Sequence, residues 1–182
     1  RSHPHRVKGY DEAARIGAIL AAEVVRCYQR LEPLADAPLK VSHEDLQLKL
    51  MASKSKHFES LHHGKPFFDG EVTDTFVDGN YVFPAEVMVI TLGDDVAFVG
   101  VPGELFVTLG LQVKLNSPYK YTFLNELANG ADGYIPTRVA VAEGGYGASP
   151  LSTRCAPDCG ELMVASAIRQ LIAHRDFQPT LR

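Results

Sequence analysis

The sequence has no tryptophan, only three cysteines and no long apolar run, and each shortage removes a class of protein. Cys27, Cys155 and Cys159 are too few for a disulfide framework and lack the paired two-residue spacings of a structural zinc site. Cys27 reads as core. Cys155 and Cys159 flank Ala-Pro-Asp in a turn, where a local disulfide and an incidental pair are both open. The incidental pair is favoured, because so short a closed loop constrains little of the unfolded chain. No segment approaches the roughly 18 uninterrupted apolar residues of a membrane span. The opening RSHPHRVKGYDE lacks the apolar core of a signal peptide, although a cleaved leader would leave no trace. There is no run of Lys and Arg to track a phosphate backbone, and the formal net charge is −4, so nucleic acid is not an expected partner.

What is present is ordinary soluble composition: 182 residues, 46% hydrophobic and 22% charged, enough for one sizeable core and read as a single domain over 1–182. Asp11 is a plausible N-cap for DEAARIGAILAAEVVRCYQRL, whose Ile16, Ile19, Leu20, Ala21, Val24 and Leu31 form one broad apolar face. Pro33 ends that helix. LKVSH reads as a strand, and Ser42 with Asp45 resembles a capping box opening an exposed helix over EDLQLKLMASKSKHFESL. His57, His62 and His63, at or just past its end, read as solvated, since metal ligation would need a carboxylate or third imidazole in register. From Gly64 to Pro84 the chain makes a long excursion with room for one short hairpin.

AEVMVITLG and DVAFVGVP are the most apolar β-rich runs, and Gly93-Asp94-Asp95 between them predicts an antiparallel hairpin. The second run breaks at Pro102-Gly103 and resumes at helical spacing with Leu105, Leu109 and Val113. Glu104 therefore stands at a strand-to-helix corner, where layered α/β folds point side chains into a crevice. On local pattern alone the plainer reading is a first-turn acid favoured by the helix dipole. YKYTFLNEL reads as a further strand. NGADGYIPTRVAVAEGGYGAS holds more glycine than packing requires, but no P-loop lysine and no GxGxxG opening a helix, so phosphate binding is a weak reading. A last helix runs from about Cys159 to His174, with Leu162, Met163, Ala165, Ala167, Ile168, Leu171 and Ile172 as its buried face. The expected fold class is α/β: a layered sheet with the hairpin central, and the helices from Asp11 and Cys159 packed over it.

VPGELFVTLG, LANGADGYIPT and EGGYGAS, in this order and rough spacing, resemble the second half of the catalytic domain in the neutral ceramidase family, zinc-dependent amidases that cleave N-acyl bonds of sphingolipids. The resemblance runs from about Val87 to Ile172, and the opening helix also looks like a segment of that family. It implies Zn2+ as cofactor, with Glu104 and Tyr146 as metal ligands, and a small-molecule lipid amide as substrate. The loop from Asn129 to Thr137, with Asn129 and Tyr134, would shape the acyl-amide pocket. Gly147 stands where many relatives carry Glu. The family's two zinc-binding histidines and its serine come from preceding sequence and have no counterpart here, because His3 and His5 are not in that histidine context.

The 182 residues therefore look like the C-terminal half of a larger catalytic domain, whose N-terminal half would supply the histidine ligands. The resemblance also suggests a secreted or cell-surface protein. Glu104 and Tyr146 should converge on one open cleft, and the isolated chain should bind zinc weakly. Two other readings stay open: a non-catalytic binding or structural module on the same fold, and another metal hydrolase sharing the Pro-Gly-Glu corner.

Overall fold

The computed structural model describes residues 9–33, 37–51 and 75–176, which fall into two compact units, one ending at Asp36 and the other beginning at Ala37. The first unit carries helix α1, Tyr10–Tyr28. Ion pairs one turn apart, Arg15 with Glu12 at 2.7 Å and Arg26 with Glu23, line its polar side. None of its residues is buried. The stripe of Ile16, Ile19, Leu20 and Val24, expected to be a core face, is exposed, and so is Cys27, expected in the core. Amphipathic spacing identifies an apolar face without identifying what covers it.

The second unit runs β1 (Leu39–Lys49), β2 (Thr75–Val77), β3 (Asn80–Leu92), β4 (Val96–Gly100), β5 (Glu104–Leu105), α2 (Val107–Asn116), β6 (Tyr121–Asn125), β7 (Tyr134–Ile135), α3 (Arg138–Glu143) and α4 (Cys159–Asp176). Its main sheet has the order β1-β3-β4-β6, with β2 paired to the start of β3. The β3–β4 hairpin is antiparallel, as its Gly-Asp-Asp turn predicts, and β1 lies antiparallel on the other side of β3. β6 is parallel to β4, which requires the crossover that α2 provides. The result is a mostly antiparallel sheet flanked by helices, the expected class.

Strand side chains alternate between faces, and one face carries the core. Phe83, Ala85, Val87, Val89 and Thr91 of β3, with Ala97 and Val99 of β4, are buried beside Leu109 and Val113 of α2 and Met163, Ala167 and Leu171 of α4. On the opposite face Leu39, Val41, Tyr121 and Phe123 are exposed, and Phe98 stacks on Phe123 with centroids 5.2 Å apart.

Three expectations are corrected. Residues 44–49 continue β1 instead of opening a helix, and the capping box does not form: Ser42 Oγ donates to Gln170 Oε1 of α4 at 2.6 Å. The period of two was hidden because the inward positions Lys40, Ser42 and Glu44 are polar, each with a partner on α4. Leu105 belongs to β5, not to the helix. On α4 the buried face is Met163, Val164, Ser166, Ala167, Gln170, Leu171 and His174, whereas Leu162 and Ile172 are exposed. His3, His5, His57, His62, His63 and most of the predicted excursion lie outside the described residues; the short hairpin within it is β2 turning into β3 at Asp78-Gly79. Among the described residues no helix is long and apolar enough to cross a membrane.

Candidate active-site corner

After β4 the chain passes through buried Val101, Pro102 and Gly103 into β5. β5 pairs in parallel with β7, Glu104 opposite Tyr134 and Leu105 opposite Ile135. The register sends both oxygen-bearing side chains to one side and both aliphatic ones to the other. Leu105 and Ile135 are buried in the core, so Glu104 and Tyr134 face outward together, each half-buried. Two backbone bonds hold the pairing: the Glu104 N–H donates to the Gly133 carbonyl at 2.9 Å and the Phe106 N–H to that of Ile135 at 3.0 Å. Approach this close requires glycine at 103, where a Cβ would lie 2.7 Å from the Gly133 oxygen and 2.8 Å from Ile135 Cγ1.

Tyr146 reaches the same side from the loop after α3. Gly147 beside it has φ +82°, and a Cβ there would sit 2.9 Å from Phe106 Cε1, so glycine here leaves room for the Phe106 ring. The Tyr146 ring meets that of Tyr134 edge to face at 5.4 Å. The Tyr134 hydroxyl donates to the Tyr146 hydroxyl oxygen at 3.3 Å, long for such a bond, and its other polar neighbour is the Glu104 carboxylate. Tyr146 and then Glu104 push the Tyr134 pKa far above its ordinary value. A phenol facing a carboxylate keeps its proton. Tyr134, expected only to line a pocket, thus joins the two residues expected to hold metal.

Asn129 keeps different company. At φ +60° its amide donates to Glu86 Oε1 at 2.6 Å and approaches Met88 Sδ at 3.9 Å, both on β3. Its loop is tied to the strand end by Ala128 N–H to the Val101 carbonyl, 2.9 Å, and Asp132 N–H to that of Pro102, 2.6 Å.

Supports behind Tyr134 escaped the sequence reading. Thr153 Oγ1 donates to the Tyr134 carbonyl at 2.6 Å, Gly133 bridges Thr153, and Arg154 pairs with Asp132 while lying 4.0 Å over the Phe83 ring. Only the unusual turn around Cys155 hinted at them. Cys155 and Cys159 are buried free thiols, in line with an incidental pair. Their mutual hydrogen bond, followed by burial, raises the pKa of Cys155, and the same bond lowers that of Cys159.

Comparison of the sequence with protein-family models and with curated proteins finds no match. Solved structures do match. A neutral ceramidase from Pseudomonas aeruginosa superposes with a TM-score of 0.63 at 15% identity, over 99% of this chain and 35% of that one. A ceramidase complexed with C2 superposes at 0.61 and 13% identity, over 94% of this chain and 36% of that one. The chain thus spans little more than a third of either neighbour's length, and at such identity the likeness is one of architecture: the chain has the fold of part of a neutral ceramidase.

Proposed function

We propose that residues 1–182 are the C-terminal half of the catalytic domain of a zinc-dependent amidohydrolase, acting on the N-acyl amide bond of ceramide-like sphingolipids. The observation that carries this reading is the meeting of Glu104, Tyr134 and Tyr146 at one corner of a ceramidase fold. Zinc accepts carboxylate oxygen, can take a phenolic oxygen as an additional, weaker ligand, and imposes no geometry of its own. Glu104 and Tyr146 would hold the metal from this side, and the remaining half of the domain would contribute imidazoles. When bound, zinc polarises a carbonyl and lowers the pKa of water.

The chain's own groups have separable tasks. The Glu104 carboxylate brings negative charge to the corner. The Tyr146 hydroxyl, exposed and free to turn, donates to the oxygen of the scissile carbonyl as charge builds there. Tyr134 retains its proton and steadies both neighbours. Asn129 has committed its amide nitrogen to Glu86, which leaves its side-chain oxygen to accept from a substrate N–H.

The test uses the full-length protein: zinc content and hydrolysis of a ceramide are measured before and after chelation. At least one zinc per molecule and activity restored by zinc alone are expected. Absence of zinc, together with stability and activity indifferent to chelation, would overturn the reading.

A further inference from the structure

Outside that corner, His43 and Asp45 of β1 and Glu86 of β3 meet on the exposed face of the main sheet, their ligand atoms all within 4.8 Å of one another. We propose that these three side chains form a second divalent-cation site, of the kind that takes zinc.

The topology creates the cluster. Asp45 stands directly opposite Glu86 in the antiparallel register, and His43 stands opposite Met88, so all three project from one face. Two carboxylates directly opposed across strands repel each other. Among the described residues no Lys or Arg forms an ion pair with either; the His43 imidazole is their nearest nitrogen-bearing neighbour. Yet it does not bond to them. His43 Nδ1 lies 3.6 Å from Glu86 Oε2 and 3.9 Å from Asp45 Oδ1, too far for a hydrogen bond. Two ligands on one tetrahedral zinc, at bond lengths near 2.1 Å, lie about 3.4 Å apart. The imidazole nitrogen thus stands within a few tenths of an ångström of that spacing from each carboxylate, and the three ligand atoms all lie within 4.8 Å of one another.

Chemistry and support agree with that spacing. One imidazole with two carboxylates suits a borderline cation such as zinc better than calcium or magnesium, which prefer oxygen alone. Asn129 donates to Glu86 Oε1 and so directs Oε2 toward His43. A cation here would clamp β1 to β3 and, through Glu86 and Asn129, steady the loop beyond β6. The three ligands lie outside Glu104, Tyr134 and Tyr146, so the site stands without the amidohydrolase reading and shares with it only Asn129 as a support.

The test is calorimetric titration of the metal-stripped full-length protein carrying Glu104→Gln with Zn2+. One saturable site is expected, weakened at least about 10-fold when His43→Ala or Glu86→Gln is added. With His43 and Glu86 intact, NMR should show the His43 ring resonances moving as the site fills, a readout that survives if a variant folds poorly. No saturable site, a site untouched by His43→Ala, or a His43 ring unmoved as zinc binds, would overturn the proposal.

Discussion

Two polar assemblies, one on the main sheet and one on the two-stranded β5–β7 sheet, differ in whether they are complete. Between β1 and α4, Lys40 Nζ donates to the His174 carbonyl at 2.6 Å, Ser42 pairs with Gln170 at 2.6 Å, and Ser166 and Arg169 donate to Glu44 at 2.7 and 2.9 Å. Gln170 also donates to the Val87 carbonyl at 2.9 Å, and Thr91 meets His174 Nδ1 at 3.1 Å. Donor answers acceptor throughout. At the β5–β7 corner a carboxylate and two phenols gather oxygen on oxygen, and among the described residues no ion pair involves Glu104. A seam that satisfies itself fastens two elements. A corner that collects like atoms is suited to being completed from outside.

The sharpest break of this contrast is Glu104→Gln in the full-length protein. Amide hydrolysis should fall about 100-fold or more while the melting temperature stays put, because a charged ligand is lost with little change of shape. An active variant would reduce Glu104 to an ordinary half-buried strand carboxylate. Gly103→Ala should lower both properties, since its Cβ meets the Gly133 oxygen at 2.7 Å and must push β7 from β5. A stability loss of roughly 1 to 3 kcal/mol in denaturant titrations is expected, with a drop in activity.

Changes in the seam should do the reverse. Gln170→Ala strands the Val87 carbonyl and Ser42, costing roughly 1 to 3 kcal/mol by urea unfolding and leaving zinc affinity and amide hydrolysis unchanged.

The smallest effect is a pH slope. Burial, then the charge of Lys40, lowers the pKa of His174. Above about pH 6.5 the ring is neutral in both folded and unfolded chains; below it the unfolded chain takes the proton first. Stability should therefore decline as pH drops from about 6.5 toward the lowered folded value, then level. Glu44, lowered by Ser166 and then Arg169, adds a second decline below about pH 4.5. Melting curves of His174→Gln should lack the first decline and keep the second.

Apolar period and turn chemistry announced the Gly-Asp-Asp hairpin, the strand of 121–125 and the closing helix, but the same period put Leu105 in a helix and Leu162 and Ile172 in the core. They concealed the seam. Lys40, Ser42 and Glu44 at every second position, and Ser166, Gln170 and His174 at every fourth, are polar stripes that match across an interface, but either one alone reads as solvent-facing. At the corner the glycines pointed to close approach, and the family likeness pointed to Glu104 and Tyr146. That Tyr134 connects them depends on a pairing between residues 30 positions apart, which no local pattern encodes.

That pairing also ties the chemistry to folding. Glu104 and Leu105 alternate, as do Tyr134 and Ile135, so a slip of one residue between β5 and β7 would bring an oxygen-bearing side chain opposite an aliphatic one. The core rejects that arrangement, since Leu105 and Ile135 must stay buried. Misassembled chains therefore carry no half-formed corner: proofreading of the site is delegated to the hydrophobic interior.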